Sequence, residues 1–383
     1  MRPRRLRVFA VEDTAVQVDW SCIGVGEVQA DVVQPDHSVH RRLHFWVDGG
    51  AGTMTVAGLE PSAETLVHMR GAALPAEGVV LRTRTLTPPP GHELFRFATV
   101  SDTHLGATSF GVRGRIRDPV RDVMQAHPFR CTTAAVAEAV AWGARMLVHK
   151  GDLTHRAYAA EWEAARKVLG SLPVPVLAVP GNHDVRRRDW SIPAPLGSAR
   201  WGVDMAVGEP RAVDLPGIRI VLVDTNDPGH HRGHIDRALA ELTLDLVDDS
   251  DRPVFVVLHH HLERAPFTWF WPPGIPRSEA VFFLDGLAAR ARHGAFVTSG
   301  HTHRHRSSTW KGVAVCEVGS PKDYPGTWAG YVVHEGGIRQ VVKRVSDTRC
   351  VHWTETTRRA ACGAWGLWSP GLLRHRCFTH RWR

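Results

Sequence analysis

The sequence predicts two parts of different fold class: an all-β sandwich in the first 87 residues, followed by an α/β domain. In the first part, short runs alternate apolar and polar residues and are separated by Gly, Pro, Asp and Ser, which is typical of strands with one buried face. From residue 94 onward, apolar runs alternate with helical patterns, which indicates an α/β core. The length of 383 residues suits two or three domains of ordinary size.

The composition excludes several classes of protein. Hydrophobic residues make up 43% of the chain and charged residues 22%, as in ordinary globular proteins. No apolar stretch approaches the roughly 18–20 residues of a membrane span. The apolar run Val8–Val11 is too short for a signal peptide, and the six cysteines contain no CxxC pair, which suits a reducing compartment. We therefore expect a cytoplasmic protein with no membrane partner, and the sequence leaves its oligomeric state open.

The charge is less informative. The net charge is +8, from 47 Lys and Arg against 39 Asp and Glu, and almost all of the positive charge is arginine. A genomic preference for arginine, an anionic small substrate or a nucleic acid would each produce this excess. Histidine is unusually frequent, with 24 residues in the chain.

Residues 1–87 contain six candidate strands. They are Ala15–Trp20, Val28–Val33, Leu43–Val47, Met54–Val56, Leu66–Met69 and Val79–Leu86. The segments Val16–Trp20 and Gly58–Pro61 resemble parts of a fibronectin type III-like domain, which implies a β-sandwich; the tyrosine usual after that proline is replaced by Thr65 and Leu66. Residues 88–93 begin with three prolines and cannot continue a sheet, so we expect a stiff linker there.

Residues 94–345 are expected to form the α/β domain. Its candidate strands are Leu94–Val100, Met146–His149, Val174–Val179, Ile218–Val223, Val254–Leu258, Phe296–Ser299, Val313–Val318 and Tyr331–Val333. Helices are predicted at Thr132–Gly143, Ala159–Leu169 and Ile235–Val247, the last because its apolar residues recur every three or four positions. The tail, 346–383, is rich in Arg and Trp, and we expect it to pack on the core because four tryptophans are costly to leave in water.

Polar motifs follow five of the predicted strands. They are Ser101–His104, Gly151–His155, Gly181–Asp184, His259–His261 and Gly300–His303. Sites in open α/β sheets are built at the carboxyl ends of the strands, so we expect all five motifs to meet at one edge.

The residue types in these motifs indicate a metal site. Carboxylate, amide carbonyl and imidazole groups are ligands for Mn, Fe and Zn. Seven candidate donors are present: Asp102, His104, Asp152, Asn182, His259, His301 and His303. Seven exceed the needs of one tetrahedral ion, but they suit two ions if one carboxylate bridges them. Two ions about 3.5–4 Å apart can hold an attacking hydroxide and the phosphoryl oxygens of a substrate, which predicts phosphoester hydrolysis.

The order of the motifs, D-x-H, GD, GNHD, a histidine run and GHxH, resembles the calcineurin-like metallophosphoesterase family over about residues 94–345. The GNHD and GHTH forms are most similar to its cyclic-nucleotide-phosphodiesterase-like branch. The resemblance implies a four-layer α/β/β/α sandwich, two divalent or trivalent metal ions with a metal-bound hydroxide, and a small phosphodiester substrate. A phosphomonoester remains an alternative, and so does a nuclease or nucleic-acid-binding role, which is not favoured.

The resemblance also implies a role for each motif residue. The ligands of the first metal are Asp102, His104 and His303. The ligands of the second metal are Asn182, His259 and His301, and Asp152 bridges the two. His183 matches the histidine that protonates the leaving oxygen or stabilises the transition state, and Asp184 matches the acid that orients it. His259 is preferred because it directly follows its strand, but a slip of one residue would select His260.

Other residues near the motifs are candidates for substrate contact. The segment Leu105–Arg130 carries Arg113, Arg115, Arg117 and Arg121, which could meet phosphate. The segment Leu262–Pro276 carries Phe267, Trp269, Phe270 and Trp271, which could stack on a base. A solvated basic loop and a hydrophobic plug are the simpler alternatives. Arg186–Arg188 and Arg304 are further phosphate candidates, His155 is a candidate rim residue, and Asp224 is expected to be structural.

Overall fold

The computed structural model describes residues 5–33, 39–111, 114–185, 190–227, 229–265 and 271–382, which have a mixed α/β fold. The predicted phosphate candidates Arg113 and Arg186–Arg188 lie outside the described residues, as do Phe267, Trp269 and Phe270. Within the described ranges, no helix is both long and apolar enough to cross a membrane.

The described residues between 5 and 84 form one five-stranded antiparallel sheet rather than six short strands. Its strands are β1 (Arg7–Val11), β2 (Ala15–Val33), β3 (Val39–Ala57), β4 (Glu64–Arg70) and β5 (Val79–Arg84). The glycines predicted to lie in turns are instead part of the 19-residue strands β2 and β3. The first half of β2 pairs with β1, and its second half pairs with β4. Between the two halves, the pairing of β2 with β3 shifts in register from Trp20 to Ile23, as at a β-bulge. The fibronectin type III-like sandwich of two sheets stays a prediction.

The remaining elements alternate strands and helices. The strands are β6 (Glu93–Val100), β7 (Ser109–Phe110), β8 (Ile116–Arg117), β9 (Leu147–Lys150), β10 (Val176–Val179), β11 (Arg211–Leu215), β12 (Ile218–Leu222), β13 (Val254–Val257), β14 (Ala295–Ser299), β15 (Arg306–Trp310), β16 (Val313–Glu317), β17 (Thr327–His334), β18 (Gly337–Arg344) and β19 (Cys377–Arg381). The helices are α1 (His127–Ala141), α2 (Ala159–Leu169), α3 (Asn182–Val185), α4 (Ala194–Trp201), α5 (Arg237–Asp248), α6 (Arg277–Arg290), α7 (Thr348–Thr357), α8 (Ala364–Trp368) and α9 (Leu373–Arg376).

Two six-stranded sheets carry the motifs. The first has the order β10-β9-β6-β17-β18-β19, and the second has the order β11-β12-β13-β14-β16-β15. The neighbours β10, β9 and β6 are parallel, as are β12, β13, β14 and β16. Parallel neighbours end at the same edge, so the residues that follow β6, β9 and β10 lie together, and those that follow β13 and β14 do the same.

The two sheets share one hydrophobic cluster. Phe97 and Tyr331 from the first sheet stack with their ring centroids 5.0 Å apart, and both contact Phe255 of the second sheet. A second cluster joins α1 and α2 to the first sheet, and a third joins α5 and α6 to the second. Lys150 adds a polar link, because its buried Nζ donates to the Ser299 carbonyl at 2.7 Å. These contacts fix the sheets relative to each other below the strand ends.

A buried ion-pair network joins the N-terminal sheet to the α/β domain. The Arg344 guanidinium, only 1% exposed, donates to Asp19 at 3.0 Å and to Glu355 at 2.9 Å. Arg7 also binds Asp19, at 2.9 Å. The Gln17 side chain and the Arg344 main chain exchange two hydrogen bonds of 2.8 Å. The carboxylate of Asp19 therefore connects β1, β2 and β18.

We expect Asp19→Ala to lower the free energy of unfolding by about 3 kcal/mol, because Arg344 would stay buried without one of its two carboxylates. Replacing both partners, Asp19→Leu with Arg344→Met, should recover much of this loss. Urea denaturation followed by circular dichroism measures both effects. Glu163→Ala, which removes the exposed partner of Arg166, is the control and should change stability far less. Equal losses in Asp19→Ala and the control would contradict the role of the network.

Candidate metal centre

The five polar motifs meet where the sequence predicts, in the loops after β6, β9, β10, β13 and β14. Main-chain hydrogen bonds join neighbouring loops directly. The Asp102 N–H donates to the Gly151 carbonyl at 2.9 Å, and the His104 N–H donates to the Asp152 carbonyl at 2.9 Å. The Gly300 N–H donates to the carbonyl of His259 at 3.0 Å. The side chains of the motifs are thus presented by a connected set of loops.

Two glycines of the motifs allow this close approach. A Cβ atom on Gly181 would lie 2.3 Å from the main-chain nitrogen of Asp152. A Cβ atom on Gly300 would lie 1.9 Å from Ser101 Oγ and 2.5 Å from a carboxylate oxygen of Asp102. Any side chain at either position would separate the loops.

Five of the predicted ligands have a left-handed backbone. Asp102, His104, Asp152, His301 and His303 have φ angles between +44° and +67°. Residues other than glycine rarely adopt this region, and when they do they cluster at functional sites, where the surrounding structure holds them. The loop-to-loop hydrogen bonds supply that support here.

One group of ligand atoms contains Asp102, His104 and His303. The Nε2 atoms of His104 and His303 are 3.3 Å apart, and His303 Nε2 is 3.4 Å from Asp102 Oδ1. The other ring nitrogen of His303, Nδ1, donates to the carboxylate of Asp323 at 2.6 Å. In the neutral ring Nε2 therefore carries a lone pair directed at the other two residues.

A second group contains Asn182, His259 and His301. His259 Nδ1 donates to the Lys150 carbonyl at 2.8 Å, and His301 Nε2 donates to the Pro273 carbonyl at 3.0 Å. Carbonyl oxygens only accept, so these nitrogens carry the single proton of each neutral ring.

When both rings are neutral, as metal ligands must be, the remaining nitrogens His259 Nε2 and His301 Nδ1 face each other as lone pairs at 3.2 Å. The Oδ1 atom of Asn182 lies 3.3 Å from His259 Nε2. Acceptors this close repel one another unless positive charge lies between them.

Asp152 lies between the two groups. Its Oδ2 atom is 3.5 Å from the Nε2 of His104 and 3.5 Å from the Nε2 of His259. Its Oδ1 atom accepts the main-chain N–H of His183 at 2.8 Å. The carboxylate therefore reaches one member of each group, which is the position that a bridging ligand requires.

The buried carboxylates of the site favour positive charge on its histidines. Burial alone would lower the pKa of His259, but the Asp152 and Asp102 carboxylates raise it to about 9. Burial also opposes the charge on His303, yet Asp323 and Asp102 raise its pKa to about 9. The donor set, with its mixture of imidazole, carboxylate and amide oxygen, fits borderline metal ions such as Mn, Fe or Zn.

The structure separates the roles of His259 and His260. His259 Nε2 points at Asn182, His301 and Asp152. His260 instead places its Nδ1 2.9 Å from the hydroxyl of Thr225. One ring nitrogen of His260 nevertheless lies within 4.8 Å of a ring nitrogen of His259 and of His301. The geometry favours His259 as the ligand, and His260 packs behind it.

The ring of His183 has a hydrogen bond to the main chain. His183 Nδ1 donates to the His155 carbonyl at 2.8 Å, and the two rings stack with centroids 5.4 Å apart. The carboxylate of Asp184 accepts the N–H groups of Gly181, Leu153 and Thr154 at 2.8–3.1 Å. The buried carboxylate of Asp184 thus connects two loops, and its pKa is raised to about 6 by burial and by Asp152. The role of Asp184 in orienting His183 stays a prediction.

Two positioning residues were missed in the sequence. Asp323, which follows β16, is fully buried and holds the ring of His303. His231 lies with its Nδ1 3.3 Å from Asn182 Nδ2, so that the amide nitrogen can donate to it while Oδ1 faces His259. Neither residue belongs to a motif, and no local sequence signal distinguishes it from an ordinary loop residue. Partners of this kind fix the orientation of metal ligands.

A cavity of about 500 Å³ opens over both groups of ligand atoms. Phe110 and Trp271, from the two segments predicted to cover the site, line it, and so does Trp365 of the C-terminal tail. No described arginine or lysine lines this cavity. Arg117 and Arg121 line a separate surface depression.

Arg304 and Asp224 both have contacts within the protein that are typical of structural residues. Arg304, a predicted phosphate candidate, is buried and paired with Glu317 at 2.6 Å. Asp224 accepts hydrogen bonds from Gly208 and Asn226 at 2.6–3.1 Å, as expected for a structural carboxylate.

Gly300→Ala should weaken metal binding about 10- to 100-fold, because the new methyl group would displace Ser101 and the carboxylate of Asp102. Gly202→Ala is a matched control. A Cβ atom there meets nothing within 4 Å and the φ of +66° costs only about 1–2 kcal/mol of stability. Elemental analysis of dialysed protein measures the metal content. Full retention of metal by Gly300→Ala would contradict the close packing of these loops.

The sequence is similar to those of several phosphodiesterases. The chain is 33% identical over 115 residues to the glycerophosphodiester phosphodiesterase GpdQ of Enterobacter lignolyticus, a match that covers 30% of this chain and 41% of that protein. It is 28% identical over 248 residues to a probable cyclic nucleotide phosphodiesterase of Rhodococcus erythropolis, covering 61% of this chain and 72% of that protein.

A third relative is the 3',5'-cyclic adenosine monophosphate phosphodiesterase CpdA of Pseudomonas aeruginosa. It is 26% identical over 140 residues, which cover 36% of this chain and 48% of that protein. The chain thus spans less than half the length of two of these three relatives. Residues 95–305, more than half of the chain, match the calcineurin-like phosphoesterase family. With the motifs, the strand-end loops and the two groups of ligands in place, the chain belongs to this family.

Proposed function

We propose that the protein is a phosphodiesterase that hydrolyses a small phosphodiester with two metal ions. The observation that carries this proposal is the pair of acceptor groups on either side of Asp152, next to His183 and under one cavity. Asp102, His104 and His303 would hold one ion, and Asn182, His259 and His301 the other, with Asp152 shared. The clusters on both faces of the paired sheets support the four-layer α/β/β/α arrangement as part of the same proposal.

Two such ions, when bound, would act as Lewis acids: they would stabilise negative charge on the phosphoryl oxygens and lower the pKa of water. The reaction consumes one water molecule: its oxygen forms a new bond to phosphorus, and the bond from phosphorus to the leaving alcohol oxygen breaks. The products are a phosphomonoester and an alcohol. The protein itself must hold the ligands, orient the phosphate and deliver a proton to the leaving oxygen.

His183 is placed to deliver that proton. Its Nδ1–H is committed to the His155 carbonyl, and its ring meets the ring of His104 at a centroid distance of 4.5 Å and an angle of 88°. Residue 183 also lines the cavity. The proton on Nε2 of the imidazolium is then the one available to the leaving oxygen, and the neutral ring remains fixed by its bond to residue 155.

The charges around the cavity favour a diester over a monoester. A phosphodiester carries one negative charge, whereas a monoester carries up to two near neutral pH. The described lining contains histidines and aromatic residues but no arginine or lysine to pair with a second charge. The names of the relatives also describe diesterases that act on glycerophosphodiesters or cyclic nucleotides.

The direct test is metal analysis combined with hydrolysis assays. We expect two Mn, Fe or Zn ions per chain and faster hydrolysis of bis(4-nitrophenyl) phosphate than of 4-nitrophenyl phosphate. Removal of metal by a chelator should abolish turnover, and adding the ion back should restore it. Hydrolysis of neither compound by protein that retains two ions would overturn the proposed function.

Asp152→Asn should reduce turnover by at least about a thousand-fold and lower the metal content, because an amide cannot supply a second anionic oxygen to two ions. The matched control is Asp224→Asn, which alters a carboxylate that bonds only to Gly208 and Asn226 among its described contacts. Full turnover and full metal content in Asp152→Asn would refute the bridging role.

His183→Ala should retain metal but lose activity in a manner that depends on the leaving group. General acid catalysis contributes about 10²- to 10⁴-fold where the leaving alcohol is a poor one. We expect a loss of that size with phenyl leaving groups and a smaller loss with 4-nitrophenol, which departs readily as its anion. Equal losses for both leaving groups would show that His183 does not donate the proton.

A further inference from the structure

The C-terminal segment supplies one wall of the cavity. Ala360, Ala361 and Trp365 line it together with Phe110, which lies in the loop region after the first motif. The rings of Phe110 and Trp365 meet edge to face with centroids 5.3 Å apart. Trp365 is also 6.3 Å from the ring of the candidate ligand His303. We call Phe110, Ala360, Ala361 and Trp365 the aromatic wall.

The aromatic wall is held in place by contacts with residues outside the set of candidate ligands. The Ser369 carbonyl accepts the main-chain N–H of His305 at 3.0 Å, which fixes the end of α8 next to β15. The Arg376 guanidinium donates to the Phe9 carbonyl at 2.9 and 3.1 Å, so β1 of the N-terminal sheet anchors the tail. Strand β19 extends the first sheet beside β18. The wall is therefore part of the folded core.

The proton donor and the wall are connected through two candidate ligands and do not contact each other among the described ring contacts. Successive ring contacts lead from His183 to His104, then to His303, and then to Trp365, with centroid distances of 4.5, 5.3 and 6.3 Å. The leaving oxygen must be near His183. Because His183 and Trp365 line the same cavity with two histidine rings between them, a substrate that spans the cavity would have its other ester group, which stays on the phosphate, near Trp365.

The chemistry of the wall suits an aromatic ring. Trp365 and Phe110 both line the cavity, although Lys322 Nζ lies 5.1 Å from the centroid of the Phe110 ring and Trp368 packs against Trp365, and the two alanines add only methyl groups. The indole Nε1–H of Trp365 is shielded from solvent and has no acceptor among the described residues, which leaves a donor for a polar atom of a ligand. A flexible aliphatic alcohol would leave this surface poorly covered.

We infer that Trp365 and Phe110 bind an aromatic group on the ester oxygen that remains with the phosphate. This inference rests on the proposed function and specifies its substrate class: phosphodiesters whose retained ester group carries an aryl ring or a nucleobase. Trp365 is then a residue that determines specificity, contributed by the tail rather than by the motifs.

The test compares two substrates that share a leaving group. Bis(4-nitrophenyl) phosphate and methyl 4-nitrophenyl phosphate both release 4-nitrophenol, but only the first retains an aryl group. Trp365→Ala should reduce the kcat/KM ratio of the first to the second about ten-fold relative to wild type, mainly through KM. Trp365→Phe should keep most of the ratio, whereas Trp365→Leu should lose it. Trp46→Ala, at an exposed tryptophan of the N-terminal sheet, is the control and should leave the ratio unchanged.

A binding measurement makes the result independent of turnover. Wild-type protein should bind 4-nitrophenyl phosphate at least about five-fold more tightly than methyl phosphate by calorimetry, and Trp365→Ala should remove that difference. Phe110→Ala provides the same test if Trp365→Ala does not fold. Unchanged kcat/KM ratios and unchanged affinities in folded, metal-loaded variants would overturn the inference that the aromatic wall binds an aromatic ester group. If the wild-type protein hydrolyses neither substrate, the result counts against the proposed function. The binding comparison then tests separately whether the aromatic wall binds an aryl group.

Discussion

The repulsion between buried acceptors is the constraint on which the rest of the site depends. When the rings of His259 and His301 are neutral, their single protons are committed to the carbonyls of Lys150 and Pro273, so two lone pairs face each other at 3.2 Å. Asn182 and Asp152 add further acceptor oxygens. Positive charge between these atoms relieves the repulsion, supplied by a proton on His259, whose pKa is raised to about 9, or by a bound metal ion, and burial strengthens the effect because water cannot screen the repulsion.

The surrounding structure serves to hold these acceptors together. Glycines without side chains let neighbouring loops touch, and hydrogen bonds between the loops keep five ligand residues in a left-handed backbone that few side chains adopt. Behind the ligands, Asp323 fixes His303 and the carboxylate of Asp184 ties two loops. The N-terminal sheet contributes at a greater distance, because it anchors the tail that carries Trp365. The parts predicted as separate segments thus converge on one cavity.

Much of the site could be predicted from the sequence because its motifs directly follow buried strands, whose positions in the chain determine which loops meet. The choice between His259 and His260 could not be settled from the sequence, because a slip of one residue in the strand reverses the direction of the side chain. Asp323 and His231 lie far along the chain from the ligands they orient, without a local pattern. In the N-terminal part, Gly49 and its neighbours resemble a turn, but they belong to a long bent strand whose partners fix its path. Long-range contacts also set the position of the tail.

The central claim is that Asp152 joins two metal ions, and anomalous diffraction from a crystal of the metal-loaded protein tests it most directly. Data collected at the absorption edge of the bound metal should give two peaks about 3.5–4 Å apart, with the carboxylate of Asp152 between them. One peak should lie beside Asp102, His104 and His303, and the other beside Asn182, His259 and His301. A single peak, or two peaks without Asp152 between them, would contradict the account.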